Sequence, residues 1–168
     1  MPGCTACGLL LVSDISNPTH LAPSDSFARQ HVARPTLEDA YAAAQQRVRQ
    51  LQHHPEGWGY AGCTVECIET HISWLLLVGG HVYKFKKPLA LDFLDFSTAA
   101  LRLAACQEEL RINRRTAPHM YLDVVGVEGD GSEARPWRVK PWAAGDAAGA
   151  EPALLMRRFD QQALLSRR

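Results

Sequence analysis

Three short runs, residues 64–70, 72–78 and 82–87, are rich in apolar and β-branched residues, and only polar or Gly-rich joints, Thr70-His71 and Gly79-Gly80, separate them. Runs of this kind read as strands, and joints this brief make them a meander. Ahead of them, Leu37, Ala40, Tyr41, Ala44, Val48 and Leu51 recur at three- and four-residue steps between Pro35 and Pro55, the stripe of an amphipathic helix. Thr36 followed by Asp39 supplies its cap. A second helix is expected from Ser97, an N-cap residue, with Phe96 and Leu101 at the two positions of a hydrophobic staple; it runs to about Arg115 and ends before Pro118. Residues 121–127 read as a fourth strand, 129–131 as a turn and 153–159 as a fifth strand, with an Ala/Gly-rich loop over 143–152. Helix, three strands, helix and two strands without internal repeat predict an α+β fold, an antiparallel sheet of about five strands with a helix packed on it. Residues 1–35 show no period and are interrupted by Pro2, Pro18, Pro23 and Pro35, so a low-order tail precedes one domain over 36–168.

Composition narrows the function. An apolar content of 46% with 21% charged residues is too apolar for a wholly disordered chain. Lys plus Arg and Asp plus Glu balance at 18 each, so no bulk field draws the chain onto nucleic acid or an anionic membrane, and any partner must be read from a local site. The longest apolar runs, 8–12 and 74–78, fall far short of the ~20 residues that span a bilayer. No Lys or Arg precedes the first run, as a signal peptide requires, and a cytoplasmic location is expected. Five cysteines, Cys4, Cys7, Cys63, Cys67 and Cys106, are an odd number in a chain of ordinary composition and read as reduced thiols. Cys4-x-x-Cys7 has zinc-ligand spacing with His20 or His31 available, but no second pair matches it, and Cys63 and Cys67 are expected to share one strand face.

The chemistry concentrates at the end of the meander. Period-two alternation in His81-Val-Tyr-Lys-Phe-Lys-Lys87 places Lys84 and Lys86 on the face of Val82, with Tyr83 and Phe85 opposite. Taking the second helix at about 100° per residue, Gln107, Arg111 and Arg114 face solvent. Leu101, Ala105 and Ile112 form one inward flank, Leu103, Cys106 and Leu110 the other, and Glu109 lies near the centre. A carboxylate there needs a cation, since an unpaired buried charge costs on the order of several kcal/mol. A strand lysine meeting Glu109 is therefore expected. The competing readings are a solubilising edge strand for Lys84, Lys86 and Lys87, and for Glu109 a structural pairing with Arg102 or a place at the exposed helix margin. Arg111, Arg114 and Arg115 form a small basic patch without interleaved aromatics, which does not point to nucleic acid. His53-His54 reads as solvated helix end, and Trp74 and Tyr83 as core.

A strand lysine held by the glutamate of the following helix is a fixed part of kinase-type nucleotide sites. The stretches Glu69-Thr-His-Ile-Ser-Trp74, Val82-Tyr-Lys-Phe-Lys-Lys-Pro88, Phe93-Leu-Asp-Phe-Ser97, Glu109-Leu-Arg-Ile-Asn-Arg-Arg115 and Tyr121-Leu-Asp-Val-Val125 together resemble the N-terminal region of bacterial aminoglycoside phosphotransferase-like proteins, often fused to a P-loop ATPase or kinase module. Met156-Arg-Arg-Phe-Asp-Gln-Gln-Ala-Leu-Leu165 resembles their strand-to-hinge crossing. The resemblance covers roughly residues 64–165. It implies a kinase-like N-terminal lobe, ATP with magnesium, and phosphoryl transfer to a small-molecule hydroxyl. It makes Lys84 the first choice and Lys86 the second for the phosphate-contacting lysine, with Glu109 preferred over Glu108 as partner. The turn at residues 70–73 stands where such a fold covers the phosphates but lacks the glycines of a Gly-rich loop. No His-Gly-Asp segment follows, so the chain reads as a lobe cut near its hinge, lacking the catalytic base and inactive alone, with self-association expected through the apolar hinge face. A non-catalytic binding or regulatory module, or a decayed gene product, is the alternative.

Overall fold

The computed structural model describes residues 35–143 and 149–159. The expected tail, with Cys4, Cys7, His20 and His31, lies outside the described residues apart from Pro35. Helix α1 (Leu37–His53) begins at Thr36 with a reciprocal cap: Asp39 N–H donates to Thr36 Oγ1 at 3.1 Å and Thr36 N–H to Asp39 Oδ2 at 2.9 Å. A 3-10 turn, Pro55–Trp58, follows, and Gly59 at φ +98° closes it in the left-handed region that glycine enters freely.

Eight strands come next: β1 (Glu66–Glu69), β2 (Ser73–Val78), β3 (His81–Lys86), the two-residue β4 (Ala90–Leu91) and β5 (Leu94–Asp95), β6 (Tyr121–Glu128), β7 (Arg138–Pro141) and β8 (Glu151–Arg157). Helix α2 (Ala99–Asn113) lies between β5 and β6. Six strands form one sheet in the order β1-β2-β3-β8-β6-β7, every neighbouring pair antiparallel, and β4 and β5 form a separate small hairpin. The α+β class and the antiparallel sheet are as expected.

The sheet has a helix on each face. One face gives Trp74, Leu76 and Val78 from β2 and Tyr83 and Phe85 from β3 to a core shared with Ala44, Val48 and Leu51 of α1 and Trp58. The Trp58 indole N–H reaches the Leu51 carbonyl at 2.9 Å, tying the 3-10 turn to the helix. The opposite face packs Val124 and Leu154 against Cys106 of α2. Trp74 and Tyr83 are core residues, and His53 and His54 are exposed.

Five expectations are corrected. The first strand is shorter than 64–70, so Cys63 stands exposed in the turn before it and does not share a strand face with Cys67. The fifth long strand starts at Glu151 rather than residue 153, because Glu151 and Pro152 pair with Val127 and Gly126 of β6, and β7 adds a strand where none was expected. The cap of α2 is Thr98, whose Oγ1 accepts from Leu101 N–H at 3.2 Å; Ser97 N–H is occupied by Asp95 Oδ1 at 2.9 Å, which delays the helix by one residue and breaks the staple register. Leu101 and Ile112, expected inward, are 40% and 48% exposed. The helix is rolled so that Arg102 and Cys106 are its buried positions, and the ion pair of Arg102 with Glu151 sets that roll.

Candidate functional site

Strand β3 is flanked by β2 along its whole length and by β8 from His81 to Phe85, so it is an interior strand and its lysines are not edge protection. Lys84 stands opposite Leu75 and Lys86 opposite Ser73. As the alternation requires, both lysines share the face that meets α2. Glu109 receives both: Lys84 Nζ donates to Oε1 at 2.7 Å and Lys86 Nζ to Oε2 at 2.7 Å. The two predicted lysines and the predicted glutamate are thus brought together in one constellation. Glu108 is turned outward and pairs with Arg111 instead.

The surroundings of the three groups differ. The Lys84 side chain is 24% exposed, that of Lys86 5% and that of Glu109 19%. Lys86 Nζ lies 5.1 Å from the centroid of the Phe96 ring, a cation–π contact that replaces part of its lost hydration. Burial pushes the Glu109 carboxyl up, but hydrogen bonds from Lys84 and Lys86 outweigh it and hold the group below the ordinary glutamate value. Beneath them Cys106 is fully buried, and burial pushes its thiol up to about 11. On β2, the Ser73 hydroxyl is buried without a hydrogen-bond partner on this same lysine face.

Next to Lys84 the face becomes apolar. A cavity of about 180 Å³ is lined by Ile68, Leu75, Leu77, Val82, Met156 and Phe159, among others. Val82 is two residues before Lys84 on the same face, and Leu75 is the register partner of Lys84, so the cavity borders the position of Lys84, which does not itself line it. Complete ligand sites usually measure ~300–1,000 Å³, so this is a partial seat. Sequence reading missed it, although Leu75, Leu77 and Val82 carry the signal in their period-two phase with Lys84. A larger open depression of about 420 Å³ lies at the β6–β7 end among Glu128, Arg135 and Arg138, away from the lysines and without a buried ion pair.

The second missed feature is the Arg102–Glu151 pair. Arg102 Nε donates to Glu151 Oε1 at 2.5 Å and Nη2 to Oε2 at 2.8 Å, while Nη1 caps the Phe96 carbonyl at 2.9 Å. Arg102 is therefore not the partner of Glu109. The β1–β2 turn has no glycine; Thr70 Oγ1 accepts from Ser73 N–H at 3.0 Å and closes the turn with its own side chain. Among the described residues no group of three or more His, Cys, Asp or Glu side chains could hold a metal ion. The arginines 111 and 114 are engaged, Arg111 by Glu108 and Arg114 by the carbonyls of Tyr121 and Leu122. No helix among the described residues is long and apolar enough to cross a membrane.

No family model matches the chain. Uncharacterized proteins of Mycobacterium bovis and of two Mycobacterium tuberculosis strains are each 34% identical to it over 105 residues, 61% of this chain and 18% of the relative. The chain thus corresponds to less than a fifth of the length of these relatives. No solved structure matches it.

Proposed function

We propose that this chain carries the nucleotide-holding lobe of an ATP-dependent phosphotransferase of the aminoglycoside phosphotransferase-like kind, acting on a small-molecule hydroxyl. The observation that carries the reading is the seating of one helix glutamate between two strand lysines, directly beside an apolar cavity on the same sheet face. A nucleotide presents a flat apolar ring and, a few bonds away, a polyanion. Val82, Leu75 and Met156 offer the apolar seat, and Lys84 offers the cation at its border. Lys84 is favoured over Lys86 because its side chain is the more exposed of the two and it stands beside cavity-lining residues, whereas Lys86 is buried against Phe96. Glu109 orients Lys84, and ATP when bound supplies the transferable phosphoryl group.

No His-Gly-Asp segment is present in the sequence, so the base that accepts the hydroxyl proton is assigned to a group outside the described residues. This chain's share of the work is binding and orientation.

Titration of the isotopically labelled protein with MgATP, followed by amide NMR, tests the reading even at the weak affinity of a partial seat. Shifts confined to residues 75–77, 82–86 and 156–159, and abolished in Lys84→Ala, are expected. Shifts scattered elsewhere, or identical in Lys84→Ala, would sink it.

A further inference from the structure

Two lysines converge on one carboxylate, and they are not equivalent. Lys86 is 5% exposed, lies against the Phe96 ring, which is itself 6% exposed, and stands opposite the buried Ser73. Lys84 is 24% exposed and adjoins the apolar cavity. The constellation of Lys84, Lys86 and Glu109 carries one positive charge in excess. The groups that face it next are the Cys106 thiol and the Tyr121 phenol, both pushed upward mainly by burial and so uncharged near neutral pH, and the Arg102–Glu151 pair, whose carboxylate Arg47 also approaches.

We propose that Lys86 is a positioning residue that keeps Glu109 neutralised, so that Lys84 is the surplus cation, released to an anionic ligand. This rests on the nucleotide reading of Lys84. In a site with a single lysine, withdrawing it toward a phosphate strips a partly buried carboxylate of its only cation, a strongly unfavourable step. Here Glu109 keeps a charge-assisted hydrogen bond from Lys86 at 2.7 Å while Lys84 turns away. Lys86 acts through Glu109 and touches no ligand. The division of labour also accounts for the burial of Lys86: an anchor needs an enclosed place, and a ligand-contacting amine needs an open one.

The test is the rate at which an N-hydroxysuccinimide ester acylates each lysine, mapped by mass spectrometry, with Lys140 on β7 as the internal reference. In Lys86→Met, Lys84 becomes the sole partner of Glu109, which holds the ammonium more tightly, and its acylation slows roughly tenfold against Lys140. In Lys86→Met/Glu109→Gln the carboxylate charge is gone and the Lys84 rate returns to the wild-type level or above. An unchanged Lys84 rate in Lys86→Met, or a slowed rate that the second substitution does not recover, overturns the proposal, because a lysine that only packs would give one or the other. If Lys86→Met does not fold, Lys86→Arg must leave the Lys84 rate at or above wild type and Glu109→Gln alone must raise it; failure of either overturns the proposal too. MgATP added to the wild type separates the two readings. Protection of Lys84 supports both, whereas absence of protection with the Lys86→Met effect intact removes the nucleotide reading and leaves the sharing of Glu109 standing.

Discussion

Arg102 presents two nitrogens to the two oxygens of Glu151, Nε at 2.5 Å and Nη2 at 2.8 Å, with both side chains 7% exposed. This fork joins the first turn of α2 to the start of β8, and Arg47 of α1 approaches the same carboxylate at 3.4 Å. Removing one partner of a buried pair leaves the other charge uncompensated. Glu151→Gln is expected to destabilise the fold by about 3–5 kcal/mol, and Arg102→Met/Glu151→Met, which leaves only the more exposed Arg47 without its partner, to recover part of that. Urea unfolding midpoints of the three proteins decide it, and equal midpoints for Glu151→Gln and wild type would refute the assignment.

Glu109 makes stability depend on pH in a defined direction. Its folded value lies below the ordinary ~4.3. Its contribution is therefore complete above that value and is lost as the pH falls through the lowered folded value, where the unfolded chain binds a proton first. Thermal melting from about pH 6 to about pH 3 should show wild type more stable than Glu109→Gln at the upper end and the two curves converging at the lower end. A constant gap across the range would contradict it.

The described cysteines should separate by reactivity. Cys63 is exposed, whereas Cys106 is fully buried with its thiol pushed up to about 11, burial outweighing the nearby lysines. Iodoacetamide at about pH 8 is expected to modify Cys63 in the folded chain and Cys106 only in denaturant, since the thiolate is the reacting form. Peptide mapping gives the answer, and rapid modification of Cys106 in the native protein would show that α2 opens away from the sheet.

The turn between β6 and β7 should be intolerant of a side chain. Gly129 sits at φ +110°, and a Cβ there would stand 2.5 Å from the Pro136 carbonyl oxygen and 2.9 Å from that of Arg135. Gly129→Ala is expected to destabilise by more than ~1 kcal/mol. Gly57→Ala, where an added Cβ meets nothing within 4 Å, is expected to stay within about 0.5 kcal/mol of wild type. Paired denaturant curves test both, and equal losses would argue against a conformational origin.

Local pattern carried a good part of this fold. The stripe of α1, its Thr36–Asp39 cap, and the phase of β3 that sends Lys84 and Lys86 to one face are properties of neighbouring residues, and they were legible without the fold. Glu109 was legible as well, because a carboxylate on the inward arc of a helix demands a cation. What escaped was decided by partners distant in sequence. Arg102 lies seven residues before Glu109, within about 20° of it on the helix, so the charge was visible on the inward stripe. Its true partner, Glu151, is 49 residues away, and nothing local announces it. The roll that this pair imposes on α2 is why Leu101 and Ile112 face outward. Strand β7, only four residues long, owes its existence to the ladder offered by β6 rather than to its own apolar pattern.

The position of β3 inside the sheet has a consequence for selectivity. With its backbone bonded on both sides, the separation between Val82 and Lys84 is fixed by the strand rise at ~6.6 Å. Side-chain substitutions at either residue leave that interval unchanged. On the proposed nucleotide reading the strand would serve as a ruler for the gap between a ligand's apolar and anionic ends, one that only an inserted residue in β3 would re-mark.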